Sequence, residues 1–278
     1  MRKIIIPPPT IVPDAAATGL QLYHARKNSV RQLVQLRFHT VSFVLEGTKR
    51  ATGSRATTTL GPDDFLVVPA GRCLMSETVS DAGAAYRSLL LYFSPEALAR
   101  VRRQLDLPPG AEHDAQLGLR AFRHDAFTRS FLTSLEALVT VEPGRRERLL
   151  KVKLVELLLY LSERDGPESL SALLPRPVGA DLSAVVEANK YERLTLEELA
   201  FLCNVSVSTF KRAFRVTYGM PPARWFTHQR LAYAAFLLTG ERLRPSEVYL
   251  RVGYESLSSF TQAFRTRYGV TPRRYARG

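Results

Sequence analysis

The chain has 278 residues, 45% of them hydrophobic, which suits one or two packed domains and excludes wholesale disorder. Its formal net charge of +13 favours a polyanionic partner, either nucleic acid or an anionic membrane surface. No apolar run approaches the ~18–20 residues that span a bilayer. The only two cysteines, Cys73 and Cys203, are too few for a zinc-finger cluster or a disulfide framework, so reduced thiols in the cytoplasm are expected.

The start, Met1 to Pro9, holds two basic residues, three isoleucines and three prolines, which is no secretory h-region. Residues from about 20 to 95 read as β structure. Short apolar runs at Ser42–Leu45, Ala56–Leu60, Phe65–Val68, Cys73–Val79 and Tyr86–Phe93 alternate with turn signals at Gly47, Gly61 to Asp64 and Pro69 to Gly71. Many short strands with such punctuation imply a small barrel or jelly roll. Helices are expected at about Pro95–Leu105, Arg123–Thr140 and Arg146–Glu163.

In the last of these helices Leu150, Leu154, Leu157 and Leu161 form one stripe, and Val152, Val155, Leu158 and Leu159 widen the apolar surface. A helix apolar on two sides needs two partners. One is its own barrel. The other is either more of its own domain or the same helix in a second chain. Asp165 to Ala180 is rich in proline, glycine and serine and reads as a linker, with a short helical piece near Leu170–Leu174.

The C-terminal third contains an internal repeat. Ser206 to Gly219 reads SVSTFKRAFRVTYG, and Ser256 to Gly269 reads SLSSFTQAFRTRYG, an offset of 50 residues. Upstream the better offset is 49, pairing Leu199 with Val248 and Asn204 with Gly253, so the second copy has one extra residue near Glu255. A repeat fixes architecture before any other reading. Each copy reads as helix, tight turn, helix. Thr195 and Glu198 make a capping box, Asn204 suits a turn position with positive φ, and Ser206 caps the second helix. Phe210, Ala213, Phe214 and Tyr218 then share a buried face, while Ser208, Lys211, Arg212 and Arg215 share a polar one. In the second copy Phe260, Ala263, Phe264 and Tyr268 form the apolar stripe, and Ser258, Thr261, Gln262 and Arg265 face outward. Gly219 and Gly269 end the helices. Pro222 to Leu238 reads as one connecting helix of about 17 residues, roughly 25 Å long.

Helix-turn-helix units place their second helix in the major groove. There Arg forks onto guanine, Gln pairs with adenine, and Ser or Thr serves either. The connector could hold two such helices about one DNA turn, on the order of 34 Å, apart. From Lys211 to Gly278 there are thirteen Lys and Arg against three acids, so most of the charge excess lies here. Lys211, Arg212, Arg215 and Arg265 are expected to carry most groove and phosphate contacts.

Gly253-Tyr254, Ser259-Phe260, Phe264-Arg265, Tyr268-Gly269, Pro272 and Tyr275 resemble the AraC family signature around its second helix-turn-helix, and the resemblance covers residues 181–278. Tyr249 stands where that family has a small residue, matching Ala200 in the first copy, and is expected to crowd the helix contact. Leu60 to Gly71 resembles a hairpin of the cupin-like arm of AraC-type regulators. Leu45 to Gly47, Leu154–Tyr160 and Ser208–Lys211 resemble the subgroup that activates type III secretion genes, in which a protein partner acts on the arm.

The resemblance implies an α+β chain in three parts. Residues 1–165 form a cupin-like, jelly-roll regulatory domain with a helical dimerisation segment that uses Leu150, Leu154, Leu157 and Leu161. Residues 166–180 are a linker. Residues 181–278 are an all-α tandem helix-turn-helix domain. The implied partners are double-stranded DNA, RNA polymerase, a second copy of the chain, and a small-molecule effector or regulatory protein at the first domain, with no cofactor, metal or membrane. The implied function is that of a non-enzymatic, cytoplasmic transcription activator.

Two enzymatic readings compete. A repair alkyltransferase joined to an AraC-type DNA-binding domain needs several zinc-binding cysteines and an activated nucleophile, which two isolated cysteines do not supply. A metal-dependent cupin needs clustered histidines and a carboxylate, whereas His24, His39, His113, His124 and His228 are scattered. His39 reads as a half-buried strand histidine. No P-loop, dinucleotide glycine fingerprint or His-Glu-x-x-His motif is present.

Overall fold

A computed structural model describes residues 3–6, 18–80, 85–106, 118–166, 170, 173 and 182–276. The chain divides into two compact units, Met1–Ala180 and Asp181–Gly278. The architecture is α+β, with both sheets in the first unit and a helical second unit.

The described strands of the first unit are β1 (Lys3–Ile6), β2 (Thr18–Ala25), β3 (Ser29–Leu36), β4 (His39–Glu46), β5 (Thr48–Thr52), β6 (Thr57–Leu60), β7 (Asp64–Val68), β8 (Gly71–Thr78), β9 (Tyr86–Phe93) and β10 (Arg120–Arg123). Its helices are α1 (Pro95–Gln104), α2 (Ala126–Leu138) and α3 (Pro143–Asp165). The strands form two five-stranded sheets, in the orders β1-β3-β8-β5-β6 and β10-β7-β4-β9-β2. All pairings are antiparallel except β1 with β3.

The second sheet is covered on both faces, and the pleat decides which residue goes where. Val41, Phe43, Phe65, Val67, Leu89 and Leu91 share one core with the three helices. Val44, Leu66, Val68 and Tyr86, pointing the other way, join Val34, Leu36, Ala51 and Met75 of the first sheet. Burial on both faces explains why β4, β7 and β9 read as nearly unbroken apolar runs. Aromatic rings fill the helix side, with Phe65 centred 5.3 Å from Phe43 and 5.2 Å from Phe122.

Two expectations are corrected in this unit, the start of α2 and the dimer stripe of α3. Arg123 does not begin a helix. Arg120–Arg123 is strand β10, paired with β7, and α2 starts at Ala126 behind a capping box of Asp125 and Thr128. The stretch 166–180 lies largely outside the described residues, yet Leu170 and Leu173 within it are buried in the same core as α3, so packing continues past the expected linker start. The proposed dimer stripe of α3, Leu150, Leu154, Leu157 and Leu161, is at most 2% exposed and packs into the core of its own unit. The apolar surface that α3 leaves outside consists of Leu149, Val152 and Leu159, at 39%, 64% and 40% exposure. Of the residues expected to widen the apolar surface, Val152 and Leu159 are exposed and Leu158 is buried, while Leu149 was not anticipated.

The second unit contains α4 (Leu182–Ala188), α5 (Leu196–Leu202), α6 (Val207–Tyr218), α7 (Pro222–Thr239), α8 (Pro245–Arg251), α9 (Leu257–Tyr268) and α10 (Pro272–Tyr275). Helix α7, about 27 Å long by its 18 residues, is shared by two halves. Its Trp225 and Phe226 meet Phe214 at ring distances of 5.7 and 5.9 Å. Its Leu231, Ala234, Leu237 and Leu238 join Val248, Phe260 and Phe264. A helix that packs on both sides needs apolar residues on more than one face, as α7 has over Leu231–Leu238, whereas its first half also carries Arg224, Thr227, His228, Gln229 and Arg230.

Candidate nucleic-acid interface

The two helix-turn-helix units are α5–α6 and α8–α9, and they match bond for bond. At offset 49, Cys203 N donates to Leu199 O and Val252 N to Val248 O, Asn204 N to Phe201 O and Gly253 N to Leu250 O, and Val205 N to Ala200 O and Tyr254 N to Tyr249 O. The backbone N–H of Thr195 donates to Glu198 Oε2 at 2.7 Å, and that of Arg244 to Glu247 Oε2 at 2.8 Å. At offset 50, Ser206 Oγ accepts from Thr209 N and Ser256 Oγ from Ser259 N. These bonds satisfy amides that a helix start leaves without partners. Both second helices end at a left-handed glycine, Gly219 or Gly269.

Tyr249 was expected to disturb the second unit. It is instead half-buried at the edge of the α7–α9 core, and the turn bond from Tyr254 N to its carbonyl is 2.9 Å. That bond matches the one from Val205 N to Ala200 O at 3.0 Å, so the turn forms with a tyrosine at this position.

Phe210, Phe214, Phe260 and Phe264 are all fully buried. Each contributes about 2–3 kcal/mol of transfer free energy and fixes which face of α6 or α9 turns outward. On α6 that face presents Ser208, Lys211, Arg212 and Arg215, all exposed. The three cations have no ion pair or hydrogen bond among the described residues, and an unpaired cationic face is available to phosphate without first breaking a protein contact. On α9, Ser258, Gln262 and Arg265 are exposed and Thr261 is half-buried, and all four line one open groove. The eight positions therefore fall on two helices, four on each.

A second groove, between α7 and α9, was not legible in the sequence. It sets Arg224, Thr227 and His228 of α7 beside Gln262, Thr266 and Arg267 of α9. Partial burial, and then the neighbouring Arg267 and Arg224, hold the His228 imidazole below its ordinary range, so it is neutral near pH 7. Arg267 was visible only as one more cation, because nothing in a linear sequence says that α7 runs alongside it.

Among the described residues no group of three or more His, Cys, Asp or Glu could hold a metal ion. Both cysteines are buried and neither forms a disulfide, and burial pushes the Cys73 thiol up to about 12. His39 is buried as well. Its Nδ1 accepts from Ala70 N at 3.2 Å, Nε2 has no partner among the described residues, and burial lowers its pKa to about 4. It was expected to be a satisfied, half-buried histidine, whereas it is fully buried and only half satisfied. Among the described residues no helix is long and apolar enough to cross a membrane.

Comparison with known proteins agrees with this geometry. Residues 199–278 match a family described as helix-turn-helix domain, and residues 39–173 match the ExsA N-terminal regulatory domain. Over 218 residues the chain is 25% identical to the HTH-type transcriptional regulator ExsA of Pseudomonas aeruginosa, covering 78% of each chain. It is 32% identical over 111 residues to the virulence regulon transcriptional activator VirF of Yersinia enterocolitica, which is 39% of this chain and 41% of that one. An uncharacterized HTH-type transcriptional regulator of Haemophilus influenzae is 30% identical over 138 residues, 49% of this chain and 41% of its own. The chain thus spans about two fifths of the length of the latter two relatives. Among solved structures, ToxT of Vibrio cholerae aligns over 94% of this chain and 97% of its own, with 13% identity and a TM-score of 0.44.

Proposed function

The chain belongs to the AraC-type helix-turn-helix regulators, and from that membership we propose that it is a sequence-specific DNA-binding transcription activator whose two recognition helices enter successive major grooves. The observation that carries this reading is the bond-for-bond equivalence of α5–α6 and α8–α9 around the shared helix α7. One rigid connector with a reading helix at each end is the arrangement that two grooves on one face of DNA require. The two outward faces differ, Lys-Arg-Arg on α6 against Thr-Gln-Arg on α9, so the two boxes they read differ in sequence.

In this reading Asp181–Gly278 is the DNA-binding domain and Met1–Ala180 the regulatory one, working in the cytoplasm with RNA polymerase as partner. The helix-turn-helix match over residues 199–278 and the ExsA N-terminal regulatory match over residues 39–173 support both assignments, and the likeness to the activator VirF supports activation. The first unit carries the signal, received from a small molecule or a regulatory protein. It also forms the homodimer, using Leu149, Val152 and Leu159 of α3 rather than the buried leucines.

The reading is tested by gel-shift titration of an operator fragment at several salt concentrations. Arg215→Ala and Arg265→Ala should each cost about 1–3 kcal/mol. A residue that touches only phosphate should weaken all sequences alike and lower the salt slope by about one. Wild-type affinity in both variants would refute the assignment of these faces.

A further inference from the structure

The interior between the two sheets holds a polar strap that packing does not need. Lys49 of β5 and Glu77 of β8 are cross-strand neighbours, both buried, with Nζ 3.9 Å from Oε1. Each also reaches the opposite sheet. The Lys49 ammonium donates to Ser42 Oγ of β4 at 3.1 Å, and Tyr23 OH of β2 donates to Glu77 Oε2 at 3.0 Å. Ser29 Oγ gives Glu77 a longer second bond at 3.4 Å.

Beside this strap lies a cavity of about 110 Å³. Ile4, Ile6, Val34, Leu36, Met75 and Leu90 supply its apolar wall, and the Lys49–Glu77 pair its polar end. Burying two ions costs several kcal/mol each, and apolar replacements of such a pair are often at least as stable. Stability alone therefore does not account for a charged pair at the wall of a cavity. An ammonium has three donors. Among the described residues Lys49 uses one on Ser42, and its approach to Glu77 is too long for a hydrogen bond.

We propose that this cavity is a binding site for a small uncharged molecule with an apolar body and one hydroxyl or carbonyl group placed against Lys49 and Glu77. The size follows from the volume. A cavity of about 150 Å³ takes the six carbons of benzene, so this smaller one takes an apolar body of about four or five carbons. The neutrality follows from the pair, because Lys49 and Glu77 already balance. An anion would leave one uncompensated negative charge buried and a cation one positive charge, each heavily penalised. A hydroxyl accepts from Lys49 and donates to Glu77 at once. Tyr23, Gln32, Thr40 and Ser42 also line the cavity, but most of its lining surface is apolar, which disfavours a polyol. The proposal names the small-molecule signal of the first unit, and its effector role rests on the regulatory reading of that unit, whereas occupancy of the cavity does not.

The test uses the full chain labelled at the methionine methyls. Met75 lines the cavity and Met220 lies in the other unit. Titration with cyclopentanol should shift the Met75 signal saturably and leave Met220 in place. Pentanoate, of similar size but charged, should not shift it. Val34→Phe, which places ring carbons in the cavity, should abolish the cyclopentanol response with the Met220 signal unchanged. In Lys49→Met/Glu77→Gln, cyclopentane should bind as well as cyclopentanol. No Met75 response to cyclopentanol, an equal response in Val34→Phe, or tighter binding of pentanoate would each overturn the site. Operator affinity at saturating cyclopentanol is read separately. If it does not change while Met75 saturates, the site stands and its effector role falls. If the chain binds no operator at all, the regulator reading fails independently of the titration.

Discussion

Asn204 and Gly253 occupy the same turn position in the two helix-turn-helix units, and both are in the left-handed region, at φ +60° and +88°. Each donates its N–H to the carbonyl three residues back, Asn204 to Phe201 and Gly253 to Leu250. Asparagine tolerates this conformation through its short polar side chain and glycine through its missing Cβ. One backbone shape is thus met by two different residues in one chain, and the same turn joins α5 to α6 and α8 to α9.

The two positions should respond differently to alanine and glycine. At Gly253 a Cβ meets Arg193 Nε at 2.7 Å and adopts a strained φ, so Gly253→Ala should cost about 1–2 kcal/mol. Asn204→Gly should stay within about 0.5 kcal/mol. Urea unfolding of both variants checks this, and an undisturbed Gly253→Ala midpoint would show that the turn relaxes elsewhere.

Stability and DNA affinity should separate along α6. Phe214→Ala removes a fully buried ring that touches Tyr218, Trp225 and Phe226, and should cost about 3–5 kcal/mol in unfolding free energy. Arg215→Ala, one residue on, should leave the unfolding midpoint within about 0.5 kcal/mol while weakening operator binding. Paired calorimetry and gel shifts decide it. A stability loss in Arg215→Ala would mean that its side chain supports the fold.

The helical third was legible because a repeat states its own register. Phe210 and Phe260, Gly219 and Gly269, and Ser206 and Ser256 each confirm the other's role, and the shift from offset 50 to 49 located the extra turn residue near Glu255. The groove beside Arg224 and His228 was not legible, since it depends on how α7 lies against α9. Tyr249 misled in the other direction, because a residue's size is visible in sequence and the room its neighbours leave for it is not.

On α3, Leu154→Ala should destabilise the first unit by about 2–5 kcal/mol, since its side chain is 1% exposed. Val152→Glu, at 64% exposure, should leave the fold intact and shift a dimer toward monomer. Sedimentation velocity of both variants gives the answer. Dimers unaffected by Val152→Glu would remove this helix face from the interface.

Acid should weaken the first unit through His39. Burial lowers its pKa from 6.5 to about 4, so between these values the unfolded chain binds a proton that the folded chain refuses. Stability is full above about pH 6.5 and falls as pH drops toward 4, by an amount on the order of 3 kcal/mol. His39→Asn, which keeps an acceptor for Ala70 N, should flatten that slope in urea unfolding at pH 7 and pH 4.5. His124, lowered mainly by burial and next by Arg129, should leave a smaller residual slope. Parallel pH profiles for the wild type and the variant would assign the acid sensitivity elsewhere.

In the first unit the strands with continuous apolar runs, β4, β7 and β9, were legible because both faces of their sheet are buried. Other strands were not. Ser29–Leu36 of β3, an inner strand of the first sheet, mixes Arg31, Gln32 and Gln35 with its apolar residues, and Arg120–Arg123 of the edge strand β10 is too short to show a period. The Lys49–Glu77 strap was equally hidden. Lysine and glutamate read as surface residues until strand pairing sets them side by side between the sheets.

The most direct test of the central claim is selection of fragmented genomic DNA by the purified chain, followed by sequencing. A tandem reader should enrich a shared motif of two unlike boxes spaced by about one helical turn, with the α6 box degraded in Arg215→Ala and the α9 box in Arg265→Ala. Enrichment without any motif, or a single box untouched by Arg265→Ala, would contradict a tandem reader and leave only non-specific phosphate binding or one working unit.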